Sequence, residues 1–339
     1  MPVDLAAARE GIDAFWAAWP ELRRELDLAV AEHDTERMQQ LLHEYVDAIH
    51  PELAWEHAKG LSASDALVVS AEGSRELRST AERWLRAAPE PDAVWEFHSA
   101  RQPDPGGLEY NLALNDVSLA LPETTVTYEV DSERGYIDVT IHHPALPRLD
   151  DSSRTTFAFL FLDWLLGEDG VERWIGTVES SVQPDAAAGA PAQLVAAVEE
   201  LSLASMDLGW NLLEAETEAG LPVVAVALAQ LKPIDYPLFD LHVAVELPYL
   251  DQNDGRLPVE GSAQALSAFE DELEELLGED GLVVAHDAVN GVRTIHVYGD
   301  AESSIADTAT VLAATWPEGE ATVTATLDPA WDAVAHLRA

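Results

Sequence analysis

The dipeptide Asn290-Gly291 is the strongest local constraint on how this chain can fold. It stands between two segments rich in β-forming residues, 282–289 and 292–298. Asn-Gly favours a two-residue turn whose backbone twist matches that of two antiparallel strands. The sequence therefore predicts a β-hairpin at this point.

A two-residue turn also fixes which residues face each other across the hairpin. The expected pairs are Val289 with Val292, His286 with Ile295, and Ala285 with His296. Because successive strand residues point to opposite faces of a sheet, we expect His286 and His296 on opposite faces. These two histidines are then unable to bind one metal ion together.

Strands and helices alternate along most of the remaining chain. Periodicity predicts strands over 53–58, 66–72, 94–100, 124–130, 136–141, 173–180, 210–216, 223–231, 239–247 and 321–327. It predicts helices from Ser74, over 154–166 up to Gly167, over 263–277 and over 303–315. The helix 263–277 is the most amphipathic, with an apolar stripe opposite a row of carboxylates.

The first fifty residues predict helices alone. Apolar side chains recur there at three- and four-residue steps until Pro51. Pro20 fits the first turn of a helix, where its missing N–H costs nothing, so we expect one helix to end and another to begin near it. We interpret residues 1–50 as a helical appendage that does not fold alone.

The segment 183–192, QPDAAAGAPA, is composed of small and polar residues with two prolines, which predicts a linker. The predicted organisation is a helical appendage (1–50), an α+β domain (51–182), a linker and helix (183–204) and a second domain (205–339). Each domain shows the element order of split βαβ sheets. The predicted fold class is therefore α+β, an N-terminal helical segment followed by two ferredoxin-like antiparallel sheet-and-helix domains.

The charge of the chain bears on its partners. Sixty-three Asp and Glu residues oppose eighteen Lys and Arg residues, a net charge of -45. Nucleic acids and anionic membranes both require basic surfaces, so neither is an expected partner. A solvated surface suited to a salty cytoplasm accounts for the charge, and an acidic patch that meets a basic protein partner is the alternative.

The chain contains no cysteine, no apolar run of about 18–20 residues and no basic start of a secretory signal. We therefore expect a cytoplasmic protein without disulfides or thiolate metal sites.

The histidines show no spacing typical of a metal site. His43-Glu44 is followed by His50 seven residues on, whereas zinc proteases need four. His142 and His143 are adjacent in a strand and point to opposite faces, and nothing identifies a partner for His98. We predict no metal site and no cofactor.

Catalytic carboxylates require desolvation or a convergent partner, and the sequence shows neither. The cluster of Glu270, Asp271, Glu272, Glu274 and Glu275 is interpreted as the wet face of a helix. The role of two further dipeptides with acidic residues on either side of Gly167, catalytic or structural, is not decided by the sequence: Asp163-Trp164 and Glu168-Asp169. Most of the ten tryptophans are interpreted as core anchors, and catalytic residues stay unassigned.

Residues 205–339 resemble a bacterial family known as domain of unknown function 695. The resemblance lies in GLPVVAVALAQ, FDLHVAVELPY, LPVEGSAQALSAFEDELEELL and GVRTIHVYGD. Ile295, His296, Val297 and Tyr298 stand where the family has a more aromatic strand. The resemblance implies a small α+β domain and assigns no catalytic residue.

The favoured function is a non-catalytic cytoplasmic protein-binding or regulatory module whose acidic surface meets a basic partner. The alternative is a hydrolase or metal-dependent enzyme with a histidine and carboxylate site between the two domains.

Overall fold

The computed structural model describes residues 3–104, 106–205 and 209–337. The chain divides into two compact units, Met1–Met206 and Asp207–Ala339. The predicted start of the second domain, residue 205, lies close to this division. The predicted fold class is confirmed in outline, since the chain mixes helices with strands and an N-terminal helical segment precedes several sheets.

The N-terminal unit mixes helices with short strands. Its helices are α1 (Leu5–Glu32), α2 (Thr35–Ile49), α3 (Arg78–Arg86), α4 (Asp151–Leu166), α5 (Glu168–Trp174) and α6 (Pro191–Ala204). Its strands are β1 (Ala54–Lys59), β2 (Asp65–Ser70), β3 (Trp95–His98), β4 (Asn111–Leu114), β5 (Val117–Ala120), β6 (Thr125–Asp131), β7 (Tyr136–His142) and β8 (Ile175–Ser181).

Helix α1 passes through Pro20 without a break, so the predicted helix end there is wrong. Phe15, Trp19 and Leu22 are buried on both sides of the proline in one apolar stripe. Burial of that stripe outweighs the one backbone hydrogen bond that proline removes. Helix α2 packs closely on α1, since a Cβ atom on Gly11 would lie 2.6 Å from the backbone oxygen of Ala48.

Two lobes of the N-terminal unit share one arrangement. In the first lobe, β1 and β2 form an antiparallel pair, and α3 leads to β3, which lies parallel to β2. In the second lobe, β6 and β7 form the pair, and α4 and α5 lead to β8, parallel to β7. The strands of 51–182 thus lie in three sheets, the third being the hairpin β4–β5, and not in one antiparallel sheet as predicted.

The predicted linker belongs to the N-terminal unit. Gly189 forms a β-bridge with Val126, and α6 places Leu194 and Leu201 in the core of the second lobe. The small residues of 183–192 form a loop that leads into this helix, whose apolar side explains why it packs here.

The C-terminal unit contains β9 (Trp210–Glu216), β10 (Pro222–Leu228), β11 (Leu241–Pro248), α7 (Glu260–Leu277), β12 (Gly281–Val289), β13 (Val292–Gly299), α8 (Ile305–Ala313) and β14 (Thr322–Leu327). All six strands form one antiparallel sheet in the order β14-β11-β13-β12-β10-β9. A 3-10 turn, Asp332–Leu337, ends the described part of the unit.

Each face of this sheet carries its own core. Helices α7 and α8 cover one face, where Val243 and Ile295 meet Leu266 and Leu273. On the opposite face, Tyr298 and residues of the C-terminal turn form the second core. In the described residues, we find no helix with the length and apolar character needed to cross a membrane.

The hairpin register predicted around Asn290-Gly291 is confirmed. The observed pairs are Val289 with Val292, His286 with Ile295, and Ala285 with His296. A bulge follows between Val283 and Ala285. His286 and His296 therefore lie on opposite faces, as the turn predicts.

Candidate functional site

The first histidine pair singled out in the sequence does not form a site. Nδ1 of His43 lies 3.3 Å from a carboxylate oxygen of Asp47, one turn along the same helix. His50 follows α2 and accepts a hydrogen bond from the backbone N–H of Glu52. Among the described residues, no three His, Asp or Glu side chains are placed to hold a metal ion.

His142 and His143 also have separate surroundings. His142 bonds through Nδ1 to the backbone oxygen of Ser181, and His143 bonds through Nε2 to that of Ala120. His143 is buried, and burial lowers its pKa. Both histidines thus stabilise the second lobe.

A cleft lies between the two lobes of the N-terminal unit, with Arg101 at its centre. Arg101 lines two cavities, of about 580 and 620 Å³. Residues of α4, α5 and β8 line the first cavity, and residues of β1 and β2 line the second. Cavities of this size are typical of small-molecule sites.

The Arg101 guanidinium binds carboxylates of both lobes. Nε and Nη2 donate to Glu56 on β1 at 2.8–3.0 Å, and Nη1 donates to Asp163 on α4 at 3.2 Å. The Arg101 backbone N–H donates to Glu168, whose other oxygen accepts a hydrogen bond from the backbone N–H of Gly73. One arginine therefore organises three carboxylates where the lobes meet.

The surroundings of Asp163 change its acidity. Burial raises the pKa of Asp163 to about 6; the Arg101 guanidinium opposes this shift, while Glu168 and Glu56 add to it. A carboxyl group with a raised pKa beside a cavity is typical of functional sites.

A second arginine holds the other acidic residues near Gly167. Arg78 on α3 is 6% exposed and forms ion pairs with Asp169 and Glu172 of α5. Burial raises the pKa of Asp169, against the opposing effect of Arg78. Asp163, Glu168 and Asp169, which the sequence left open, thus belong to one network with the two arginines.

The second cavity has two histidine–carboxylate pairs in or beside its wall. Nε2 of His57 lies 2.8 Å from Asp65, and Nε2 of His98 lies 3.0 Å from Glu96. Burial opposes ionisation of Glu96, but hydrogen bonds from His98 and from the loop 61–63 hold its pKa well below the usual range. His98, which lacked a partner in the sequence, therefore joins a carboxylate that fixes a loop.

The C-terminal unit holds a hydrogen-bonded chain that the sequence did not predict. Nε2 of His296 lies 3.0 Å from Asp287, and Nδ1 of His296 lies 3.0 Å from Nε2 of His242. Because an ionised carboxylate only accepts hydrogen bonds, His296 donates to Asp287 and accepts from His242. Both histidines are 8% exposed, and the ring of His242 packs at a tilt against Tyr298, with ring centroids 5.0 Å apart.

Burial keeps His242 neutral at pH 7. Burial, together with the neighbouring His296, lowers the pKa of His242 to about 4, while Asp328 opposes the shift. Only the strand alternation of FDLHVAVELPY hinted at this arrangement, since it places His242 on one sheet face. The pairing of β11 with β13, which brings His242 to His296, is not readable from either segment.

The carboxylate cluster of α7 is only partly exposed to solvent. Asp271, Glu272, Glu274 and Glu275 are exposed, as predicted. The Glu270 side chain is 14% exposed; Oε1 lies 2.9 Å from Nδ1 of His286 and 3.5 Å from Nη1 of Arg293. The apolar periodicity of α7 did not show that two basic residues of β12 and β13 lie beneath Glu270.

The edge strand β9 presents apolar and acidic side chains together. Trp210 and Leu212 are 48% and 64% exposed. Glu214 and Glu216 follow at two-residue steps, so all four side chains lie on one face of the strand. In the part of the chain that the structure describes, no backbone hydrogen bond reaches the outer edge of β9.

This face of β9 is the one that α7 covers further in. Leu212 pairs with Val226 of β10, which pairs with His286, and His286 contacts Glu270 on α7. We define the β9 surface as Trp210, Leu212, Glu214, Glu216, Val224 and Val226.

One family model matches the unit that carries this surface. Residues 209–336 match the family of unknown function DUF695. The match covers all described residues of the unit except Leu337, which confirms the resemblance found in the sequence. No curated protein and no solved structure matches the chain.

Proposed function

We propose that the DUF695 unit is a non-catalytic binding module that takes an extended segment of a basic protein partner along β9. The observation that carries the proposal is the β9 surface, an open sheet edge that combines exposed apolar side chains with carboxylates. The lack of cysteine and the net charge of -45 agree with a cytoplasmic site of action.

The open edge supports binding by strand addition. A strand that pairs with β9 would satisfy backbone N–H and C=O groups that now face solvent. The opposite edge strand, β14, has the sequence TVTATL and carries no charged residue. The carboxylates of β9 therefore distinguish the two edges of the sheet.

The order of side chains on β9 specifies the partner. Trp210 and Leu212 favour apolar neighbours, whereas Glu214 and Glu216 favour cations. A segment added antiparallel to β9 would then present two basic residues followed by two apolar residues, at alternate positions.

The fold of the unit suits this role. We also propose that β11, α7, β12, β13, α8 and β14 form a ferredoxin-like arrangement, supported by their sheet order β14-β11-β13-β12. The hairpin β9–β10 extends that sheet at the β12 side. An added strand would continue the extension.

The test uses the full chain and a peptide of the form Lys-Thr-Lys-Thr-Val-Thr-Val. We expect the peptide to bind the full chain saturably. Leu212→Arg should weaken this binding by at least about tenfold, because the substitution removes an apolar contact and adds a cation that repels the basic peptide. Leu250→Arg is the matched control, since Leu250 is also exposed (71%) but lies outside the strands.

The peptide N-methylated at alternate backbone nitrogens separates strand addition from simple charge attraction. Strand addition predicts that methylation on the edge that faces β9 abolishes binding, whereas methylation on the other edge preserves it. Equal binding by all peptides, or equal loss in Leu212→Arg and Leu250→Arg, would contradict the proposal.

A hydrolase that uses histidines and carboxylates is the second candidate function, favoured by the cleft around Arg101. Asp163, with its pKa of about 6, could exchange protons near neutral pH. This candidate predicts turnover of chromogenic ester or glycoside substrates that Asp163→Asn abolishes, with Asp151→Asn, on the same helix and fully exposed, as the control.

A further inference from the structure

We propose that the cavity beside Asp163 binds a small organic cation with an apolar body. The cavity lies within the N-terminal unit, apart from the β9 surface, so this proposal does not depend on the binding function above. Its volume of about 580 Å³ is within the range of sites for small ligands.

The charge around the cavity is unbalanced. Two buried or half-buried arginines, Arg78 and Arg101, meet five carboxylates: Glu56, Asp163, Glu168, Asp169 and Glu172. The formal surplus is three negative charges (two minus five). At the rim, exposed Arg75 and Glu72 offset each other. An anion would be repelled here, whereas a cation would offset part of the surplus.

Asp163 offers a direct contact for that cation. Its Oδ2 accepts from Arg101, and its Oδ1 has no hydrogen-bond donor among the described residues. The Asp163 side chain is 19% exposed and lines the cavity. Because the pKa of this carboxyl is raised by burial and by Glu168 and Glu56, a bound cation would favour its ionised form.

The rest of the lining indicates an organic ligand instead of a metal ion. Phe159, Leu160, Val171, Ile175 and Val178 provide apolar surface. Phe159 is 44% exposed, and the face of an aromatic ring attracts cations. Among the described residues around the cavity, no three His, Asp or Glu side chains are placed to hold a metal ion.

A matched pair of probes tests charge and shape separately. Benzylamine and benzyl alcohol have nearly the same shape, and only benzylamine is cationic at pH 7. We expect benzylamine to bind the full chain in a 1:1 complex, and benzyl alcohol to bind at least about tenfold more weakly. Calorimetry at physiological ionic strength measures both.

Variants locate the site. Phe159→Ala is expected to weaken benzylamine binding by about three- to tenfold, through loss of the ring contact. Tyr110→Ala is the control, because Tyr110 is 72% exposed and lines neither cavity. Glu72→Gln tests the rim carboxylate and is expected to weaken binding less than Phe159→Ala does.

Proton release gives a readout that does not rest on any variant. If the cation contacts Asp163, its binding near pH 6 releases a fraction of a proton, which calorimetry detects as a dependence of the heat on the buffer. The groups that face Asp163 are Arg101, Glu56 and Glu168, and Arg101 does not titrate in this range.

The outcomes are distinct. Selective binding of benzylamine, its loss in Phe159→Ala and proton release near pH 6 support the site. Equal binding of both probes, no binding of either at millimolar concentration, or equal binding by Phe159→Ala and Tyr110→Ala would overturn it. Binding of the peptide at β9 is unaffected by any of these results.

Discussion

The two units bury their ionisable groups in different ways. In the N-terminal unit, charged arginines and carboxylates meet between two lobes, with Arg78 6% exposed and Glu168 8% exposed. In the C-terminal unit, the histidine chain of His242 and His296 is buried beside an apolar core, with the pKa of His242 lowered to about 4.

This difference determines which substitutions and conditions destabilise each unit. Removing one partner of a buried ion pair lowers folding stability, because the other charge stays buried without compensation. A buried neutral imidazole stabilises the fold less as the pH falls, because the unfolded chain binds the proton first. The first unit therefore depends on its arginines, and the second depends on pH and on its aromatic cover.

The largest expected effect is at Arg78. Arg78→Met leaves the mostly buried Glu172 and the half-exposed Asp169 without their cation, so we expect the N-terminal unit to lose about 3 kcal/mol of stability. Hydrogen exchange followed by mass spectrometry reads each unit separately in the full chain. Arg86→Met, on the same helix but exposed, should cost less than about 1 kcal/mol. Equal losses in both variants would contradict the network.

The matching test in the C-terminal unit is Trp331→Leu. Trp331 is fully buried and stacks on Tyr298 with ring centroids 4.0 Å apart. Loss of this aromatic cover should cost the unit about 2–3 kcal/mol, measured by the same hydrogen exchange. Trp210→Leu, at a half-exposed site, is expected to change stability by less than about 1 kcal/mol. A small effect of Trp331→Leu would show that the C-terminal turn does not secure the sheet.

Acid should act on the two units through opposite contributions. The pKa of Asp163 is about 6 in the folded chain and 3.8 as its ordinary value, so the folded state holds the extra proton between these values. Lowering the pH from 6 to 4 thus stabilises the fold through Asp163. For His242, the pKa falls from 6.5 to about 4, so the unfolded chain takes up the proton first and acid destabilises the fold.

Each contribution amounts to at most about 3 kcal/mol. His143, whose pKa is lowered by burial, opposes Asp163 within the N-terminal unit, so single variants are needed. Asp163→Asn should remove the gain in folding stability that Asp163 contributes in acid. His242→Gln should remove the loss of folding stability that His242 contributes. Stability–pH curves from pH 7 to 4 check both, and an unchanged slope in either variant would contradict its assignment.

The smallest expected effect is at the β9 surface. Leu212→Arg should change the stability of the C-terminal unit by less than about 0.5 kcal/mol, because Leu212 is exposed and on an edge strand. Thermal unfolding measures this directly. A large loss would show that Leu212 serves the fold, which would remove the basis for a binding role.

The sequence predicted local structure better than the site. Asn290-Gly291 fixed a register that the structure confirms, because a two-residue turn leaves no freedom in pairing. The helix end predicted at Pro20 is wrong, because burial of Phe15 and Trp19 favours one continuous helix α1. The linker prediction used small residues that instead lead into α6.

The site depends on contacts between distant parts of the chain. Glu56, Arg101 and Asp163 meet only when the two lobes pack, and His242 meets His296 only when β11 pairs with β13. No periodicity or spacing within one segment contains these contacts. The acidic residues around Gly167 were visible as candidates, but their arginine partners were not.

We propose that the carboxylates around Arg78 and Arg101 stabilise the interior of the N-terminal unit, whereas Glu214 and Glu216 on β9 face a partner. Hydrogen exchange of the full chain with and without the peptide Lys-Thr-Lys-Thr-Val-Thr-Val tests this claim most directly. We predict that the peptide slows exchange within residues 210–228, and that exchange in β14 and around Arg101 stays unchanged. Protection around Arg101 or in β14 without protection of β9 would contradict the claim.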